Sequence, residues 1–199
     1  LRASGASVST CVFDVTDAAS VNAVISDLVS RHDIDILVNN AGIQRRAPLD
    51  QFDDGDWRAL MATNLDSVYY VSKAVAPHMI ARGSGKIINI ASVQSELARP
   101  NIAPYTASKG AIRNLTRGMC ADWAGKGLQI NAIAPGYFPS KMTEVIDEEG
   151  TAEILANTPM KRWGQPSDMA GVALYLASKA SGFVCGAVIP VDGGLATTG

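Results

Sequence analysis

Apolar residues along this chain follow two alternating patterns. Short, nearly unbroken apolar runs at residues 7–13, 35–39, 86–91, 129–134 and 187–191 have the length and composition of strands buried on both faces. The longer stretches between them repeat at steps of three and four. In residues 53–82 the positions Trp57, Met61, Leu65, Val68, Ser72, Val75 and Met79 make one apolar stripe of a helix, which Pro77 should kink or divide. Further helices are expected from a cap at Thr16 or Asp17 to about residue 31, over 104–123, and over 168–178 capped from Ser167. Residues 1–5 read as the end of another, closed by Gly5. Strands alternating with helices predict an α/β fold with a parallel, doubly wound sheet. Residues 137–165 carry charge and only a weak helical middle, and loops of that length in a compact domain are lids or binding loops.

One stretch carries candidate chemistry. Residues 92–109 hold Ser92, then Tyr105 thirteen positions on, then Lys109 four beyond that. Tyrosine and lysine at this spacing share a helix face, so the ammonium can sit near the phenol and draw its pKa down from about 10. Tyr105 thereby becomes a candidate general acid and base. The spacing alone is weak, because Tyr69, Tyr137 and Tyr175 also precede a lysine by four residues. Counting back thirteen gives Asp56, Ala124 and Arg162 for those three, so only Tyr105 has a hydroxyl there. The others are read as surface side chains on helices or loops. Ser92 also closes the run at 86–91, and active sites of open α/β sheets gather at the carboxyl ends of strands.

Taken with Asn39-Asn40-Ala41-Gly42 upstream and Pro135-Gly136 downstream, Ser92, Tyr105 and Lys109 resemble the short-chain dehydrogenase/reductases, from about residue 7 to the end. The resemblance implies one Rossmann-like domain over residues 1–199, with 137–165 as its substrate lid, and NAD or NADP as cofactor, NADP favoured. It places Asp14 at the adenine, Asn40, Ala41 and Gly42 along the cofactor, and Pro135, Gly136, Phe138 and Ser140 over the nicotinamide. At Ser140 the usual threonine is a serine, which keeps the donor. Ser92 would hold the substrate oxygen, Tyr105 transfer the proton, and Lys109 lower the Tyr105 pKa and bind the nicotinamide ribose. Asn64 would anchor a water behind the lysine. A homo-oligomer, most often a tetramer, is implied through the helices at 53–82 and 104–123. The family's Gly-rich phosphate turn and its first two strands have no counterpart before residue 7. In that topology the run at 7–13 would be parted from the one at 35–39. Either the sheet closes by an unusual pairing or the sequence is part of a longer chain, and the second is expected.

Composition trims the remaining possibilities. A chain of 199 residues suits one domain, and 47% hydrophobic with 18% charged residues is ordinary for a soluble globular protein. A net charge of −2 argues against a nucleic-acid partner, and no run has the apolar length of a membrane span or a signal peptide. Cys11, Cys120 and Cys185 are read as buried free thiols of a reducing cytoplasm, and His32 and His78 lack ligand spacing, so no metal is expected. The expected reaction is hydride transfer between NAD(P)(H) and a secondary alcohol or ketone. Arginines after the Asn-Asn-Ala-Gly turn suit a carboxylated sugar, which makes Arg46, with Ser92, Gln94 and Tyr105, the candidate substrate contacts. A 3-oxoacyl or other carbonyl reductase of the same family is the alternative. A non-catalytic partner in an oligomer, lacking the phosphate turn, is the alternative from another class.

Overall fold

The structure, a computed structural model, describes residues 5–197. The expected helix end at 1–5 lies outside the described residues, apart from Gly5 with its positive φ of 82°. Four parallel strands among the described residues form one sheet in the order β1 (Ile36–Asn39), β2 (Gly85–Ile90), β3 (Leu128–Pro135) and β4 (Val188–Val191). Each sits within two residues of its expected place. Side-chain alternation then divides the sheet into two faces. Ile87, Ile130, Ala132 and Ala134 enter a core built with Val21 and Ile25 of α1 (Ala18–Arg31), Val68, Val75 and Met79 of α3 (Ser67–Arg82), and Ile112 and Met119 of α4 (Ala103–Trp123). Ile88 and Ile133 point the other way, against Leu176 of α6 (Pro166–Ala177). Because helices cover both faces, β2 and β3 are mostly apolar, broken only by Lys86, Asn89, Gln129 and Asn131. No helix among the described residues is long and apolar enough to cross a membrane.

Three expectations change. Residues 7–13 form no strand: Val12 is 97% exposed, Cys11 is exposed, and within the segment only Phe13 packs against the core. An apolar run becomes a strand only beside another backbone, and β1, at the edge of the described sheet, pairs only with β2. Cys11 is therefore not a buried thiol, whereas Cys120 and Cys185 are half-buried against the core and all three are free. Second, Pro77 does not divide its helix, since α3 runs through it to Arg82. Lys73, whose carbonyl the missing N–H would have met, shares the solvent side with Pro77, where water can take the bond. The long helix instead breaks earlier, where α2 (Asp54–Met61) passes into a π turn at Ala62–Asp66 around buried Asn64. Such turns often mark functional positions. Third, α6 starts at Pro166, and Asp168 accepts the Gln165 backbone N–H at 2.7 Å, so the cap lies two residues before Ser167.

A buried polar network fixes the carboxyl end of β1. Asn39 Nδ2 donates to Asn89 Oδ1 at 2.8 Å and to Ser72 Oγ at 2.9 Å, and Asn89 Nδ2 donates to Thr116 Oγ1 at 2.9 Å. These bonds tie β1, β2, α3 and α4 together directly beneath the turn at Asn40. Replacing Asn89 by alanine leaves one of the two Asn39 amide hydrogens without an acceptor in the interior, and Thr116 Oγ1 without its donor. We expect Asn89→Ala to cost roughly 2–4 kcal/mol, read as a melting temperature lower by about 5–15 °C. An unchanged melt would show that the network holds no stability.

Candidate active site

Most candidate positions follow a strand end or open a helix, whereas Asn64 lies in the π turn between α2 and α3 and Asp14 in an irregular segment. β2 ends at Ile90, and Ser92 follows in extended backbone as the cap of a short 3-10 turn, its Oγ accepting the Gln94 N–H at 3.1 Å. α4 opens with Pro104 in its first turn, where a missing N–H costs nothing, so Tyr105 stands at the mouth and Lys109 one turn deeper. β1 leads into Asn40–Gly42 and β3 into Pro135–Phe138. Together they line a cleft of about 590 Å³ at the carboxyl edge of the sheet, which takes in Asn40, Ala41, Gly42, Arg46, Ser92, Gln94, Tyr105, Lys109, Pro135, Gly136, Phe138 and Ser140. Asn64 and Asp14 of the expected set lie outside its wall.

Burial governs the charges here. The Tyr105 phenol is pushed above its ordinary value by desolvation, which a hydrogen bond with Ser92 and the positive charge of Arg46 offset only in part. The expected downward pull from Lys109 is therefore not what this structure shows. Lys109 is itself almost wholly enclosed, its ammonium drops to about 8 by burial, and Nζ donates to the Ile90 carbonyl at 2.7 Å. Its Nζ lies 5.7 Å from the centre of the Tyr105 ring and is spent on the Ile90 carbonyl rather than on the phenol. The decoy pair on the surface does what spacing alone predicts: Lys73 Nζ donates to the exposed Tyr69 hydroxyl at 3.1 Å.

Asn64 acts on the wall of the cleft from behind. Its Oδ1 accepts the Ile43 N–H at 2.8 Å, and its Nδ2 donates to the Ile43 carbonyl at 3.0 Å and to Ser108 Oγ at 3.2 Å. The side chain thus clips the Asn-Ala-Gly-Ile turn to α4. A Cβ on Gly42 would stand 3.5 Å from Asn64 Oδ1 and 3.9 Å from Lys109 Nζ, so the bare backbone there leaves open the face beside the lysine. Asp14 is exposed, and its carboxylate accepts both the backbone N–H and the hydroxyl of Thr16, at 2.8 and 2.7 Å.

The paired arginines separate. Arg45 turns outward to Asp56 at 3.1 Å, whereas Arg46 faces the cleft and donates to the Met142 carbonyl at 3.3 Å. Tyr137 also lines the cleft rather than the surface, edge-on to Trp163 with ring centres 5.8 Å apart. Gln44 and Arg99 join the wall as well, and sequence reasoning assigned them no role. Gln44 stood beside the arginines already singled out. Arg99 lies in a polar loop whose fold no local pattern dictates.

With this geometry in place, likeness to known proteins is direct. A family profile described as enoyl-(acyl carrier protein) reductase matches residues 1–196. The chain belongs to the short-chain dehydrogenase/reductase family. It is 57% identical over 197 residues to gluconate 5-dehydrogenase of Gluconobacter oxydans (strain 621H), covering 98% of this chain and 77% of that protein. It is 48% identical over 186 residues to 5-keto-D-gluconate 5-reductase of Escherichia coli (strain K12), covering 92% of this chain and 73% of that one. A crystal structure of a gluconate 5-dehydrogenase from Burkholderia cenocepacia J2315 in complex with NADP and tartrate superimposes with a TM-score of 0.97 at 56% identity, over 98% of this chain and 78% of that chain.

Proposed function

We propose that this protein interconverts the alcohol and ketone of a sugar acid, gluconate and 5-keto-gluconate, with NADP(H) as its redox partner. The observation that carries the reading is the convergence of Ser92, Tyr105 and Lys109 on one enclosed cleft, in a chain whose relatives act on these acids. The open face beside Gly42 and Lys109, with small residues at Ala41 and Gly136, fits a flat nicotinamide and its ribose. When bound, the cofactor accepts a hydride from the substrate carbon or returns it.

This chain's residues do the rest. In oxidation, Tyr105 takes the hydroxyl proton as the carbon gives up its hydride; in reduction, it returns that proton to the carbonyl oxygen. Ser92 donates a hydrogen bond to the same oxygen. Lys109 holds the nicotinamide ribose, and Asn64, its side chain committed to Ile43, serves a proton-relay water through its backbone. Asn40, Ala41, Gly42, Pro135, Gly136, Phe138 and Ser140 hold the cofactor, with Asp14 at its adenine end. Arg46 and Gln94 meet the substrate, under a lid formed by residues 137–165 that contains α5 (Glu148–Asn157). The whole chain acts as one domain, in the cytoplasm, as a homotetramer. Assembly is supported by the exposed side of α4, where Ala107, Gly118 and Ala121 permit close helix packing.

Two measurements test this. Fluorescence titration should show saturable binding of NADPH, tighter than NADH. Incubation with gluconate and NADP⁺ should then raise absorbance at the wavelength of the reduced cofactor, and 5-keto-gluconate with NADPH should lower it. Absence of turnover with both acids would remove the substrate assignment, and sedimentation of a 20.9 kDa species alone would remove the tetramer.

A further inference from the structure

Most guanidinium groups in the described chain are paired. Arg31 meets Asp27, Arg45 meets Asp56, Arg82 meets Asp35, Arg113 meets Glu96 and Arg162 meets Asp168. Arg58 and Arg117 have no carboxylate either but do not line the cleft; the two that do are Arg46 and Arg99. Arg46 finds only the Met142 carbonyl, at 3.3 Å, and the Arg99 guanidinium lies over the Tyr137 ring, 5.5 Å from its centre. Among the described residues, neither has a carboxylate partner. Two like charges held toward one partly enclosed space repel each other, and Arg46 is lowered both by burial and by the charge of Arg99. An anion between them relieves both effects.

A second observation points to the rest of the ligand. Gln44 Oε1 and Gln94 Oε1 are buried acceptors with no hydrogen-bond donor, and both side chains line the same cleft. Unpaired buried acceptors cost free energy and are satisfied by hydroxyl groups. A second cavity of about 580 Å³ adjoins the cleft and shares Arg46, Gln94, Arg99 and Tyr137 with it. The arginines therefore stand on the partition, with Ser92 and Tyr105 on one side and, on the other, a cavity whose far wall includes Glu153, which makes no ion pair with either.

From this arrangement we infer that Arg46 and Arg99 form a two-armed seat for the carboxylate of a polyhydroxy acid, while the amides of Gln44 and Gln94 accept its hydroxyls. The inference deepens the sugar-acid reading and rests on it. Arg99 is the specificity-determining member. Stacking on Tyr137 fixes its planar fork before the ligand arrives, so little ordering is lost on binding. An uncharged polyol of the same length would satisfy the glutamines but leave the two charges facing each other.

Calorimetry on the NADP⁺-loaded protein tests this with gluconate, its uncharged counterpart glucitol, and tartrate. Wild type should bind gluconate at least tenfold more tightly than glucitol. Arg99→Gln should weaken gluconate and tartrate roughly ten- to a hundredfold, the loss of one charge-assisted contact, while glucitol stays within about threefold. Arg99→Lys, which keeps the charge without the fork, should fall between. Unchanged gluconate binding in Arg99→Gln, an equal loss for glucitol, or no acid preference in wild type would overturn the seat. Binding is read without turnover, so the two readings fail separately. A wild type that binds the acid but does not oxidise it would remove only the proposed reaction.

Discussion

Tyr105→Phe should lower kcat by about 10²–10⁴ in both directions while KM for the acid changes little, because only the proton-transferring oxygen is removed. The phenol is enclosed, with Ser92 and Arg46 beside it, so solvent cannot readily stand in for it. Folding should be nearly unaffected, since the ring that packs remains. Wild type should also show a definite pH dependence. Burial raises the Tyr105 pKa, so the phenolate needed for oxidation is scarce at neutral pH, and kcat/KM for gluconate should climb as pH rises toward the phenol's elevated value. Reduction uses the protonated phenol and should stay level through neutrality. Steady-state rates followed through cofactor absorbance between pH 6 and pH 10 read both profiles. A Tyr105→Phe protein that turns over at the wild-type rate would remove Tyr105 from the reaction.

Lys109→Met should abolish useful turnover and yet make the protein more stable at pH 7. The buried ammonium falls from 10.5 to about 8, so the folded state disfavours the charge that the unfolded chain carries freely. That penalty is fully present below about pH 8. It is relieved as pH rises from there toward the unfolded lysine's ordinary value near 10.4. The difference corresponds to roughly 3 kcal/mol, at 1.36 kcal/mol per unit. Loss of the 2.7 Å bond to the Ile90 carbonyl returns about 1–2 kcal/mol of it. A net gain of roughly 1–2 kcal/mol remains, a rise in melting temperature of about 2–8 °C. Calorimetric melts should show the gain at pH 7 and its loss above about pH 10. A lower melting temperature for Lys109→Met at pH 7 would mean that the lysine is not held at a cost.

That cost explains why one local pattern has two outcomes in this chain. Tyr69 and Lys73 have the same spacing as Tyr105 and Lys109, and on the surface the lysine bends to the phenol at little expense. In the interior, Lys109 is held by a strand carbonyl instead, and desolvation outweighs the nearby charge in setting the Tyr105 pKa. Spacing predicts which groups share a helix face. How much water surrounds them depends on β2, on the turn at Gly42 and on the residues after β3, all distant in the chain.

Local rules therefore account for much of this protein. The nearly unbroken apolar runs determined β2 and β3, because strands buried on both faces admit few polar residues, and the three-and-four stripe determined α3. Ser92 thirteen residues before Tyr105, at the close of a strand, singled out the tyrosine that shares the cleft with a serine and a buried lysine, and the Asn-Asn-Ala-Gly and Pro-Gly turns marked the walls of the cleft. Tertiary structure decided whatever depended on a neighbour far along the sequence. Residues 7–13 have the composition of a strand but pair with none of the four described strands, and they are irregular. Asn64 interrupts its helix because its amide is matched to Ile43. Arg45 and Arg46 are indistinguishable as text, and only the position of Asp56 turns one outward and leaves the other to the cleft. Arg99 and Tyr137 meet across separate loops, a contact that no periodicity along the chain encodes.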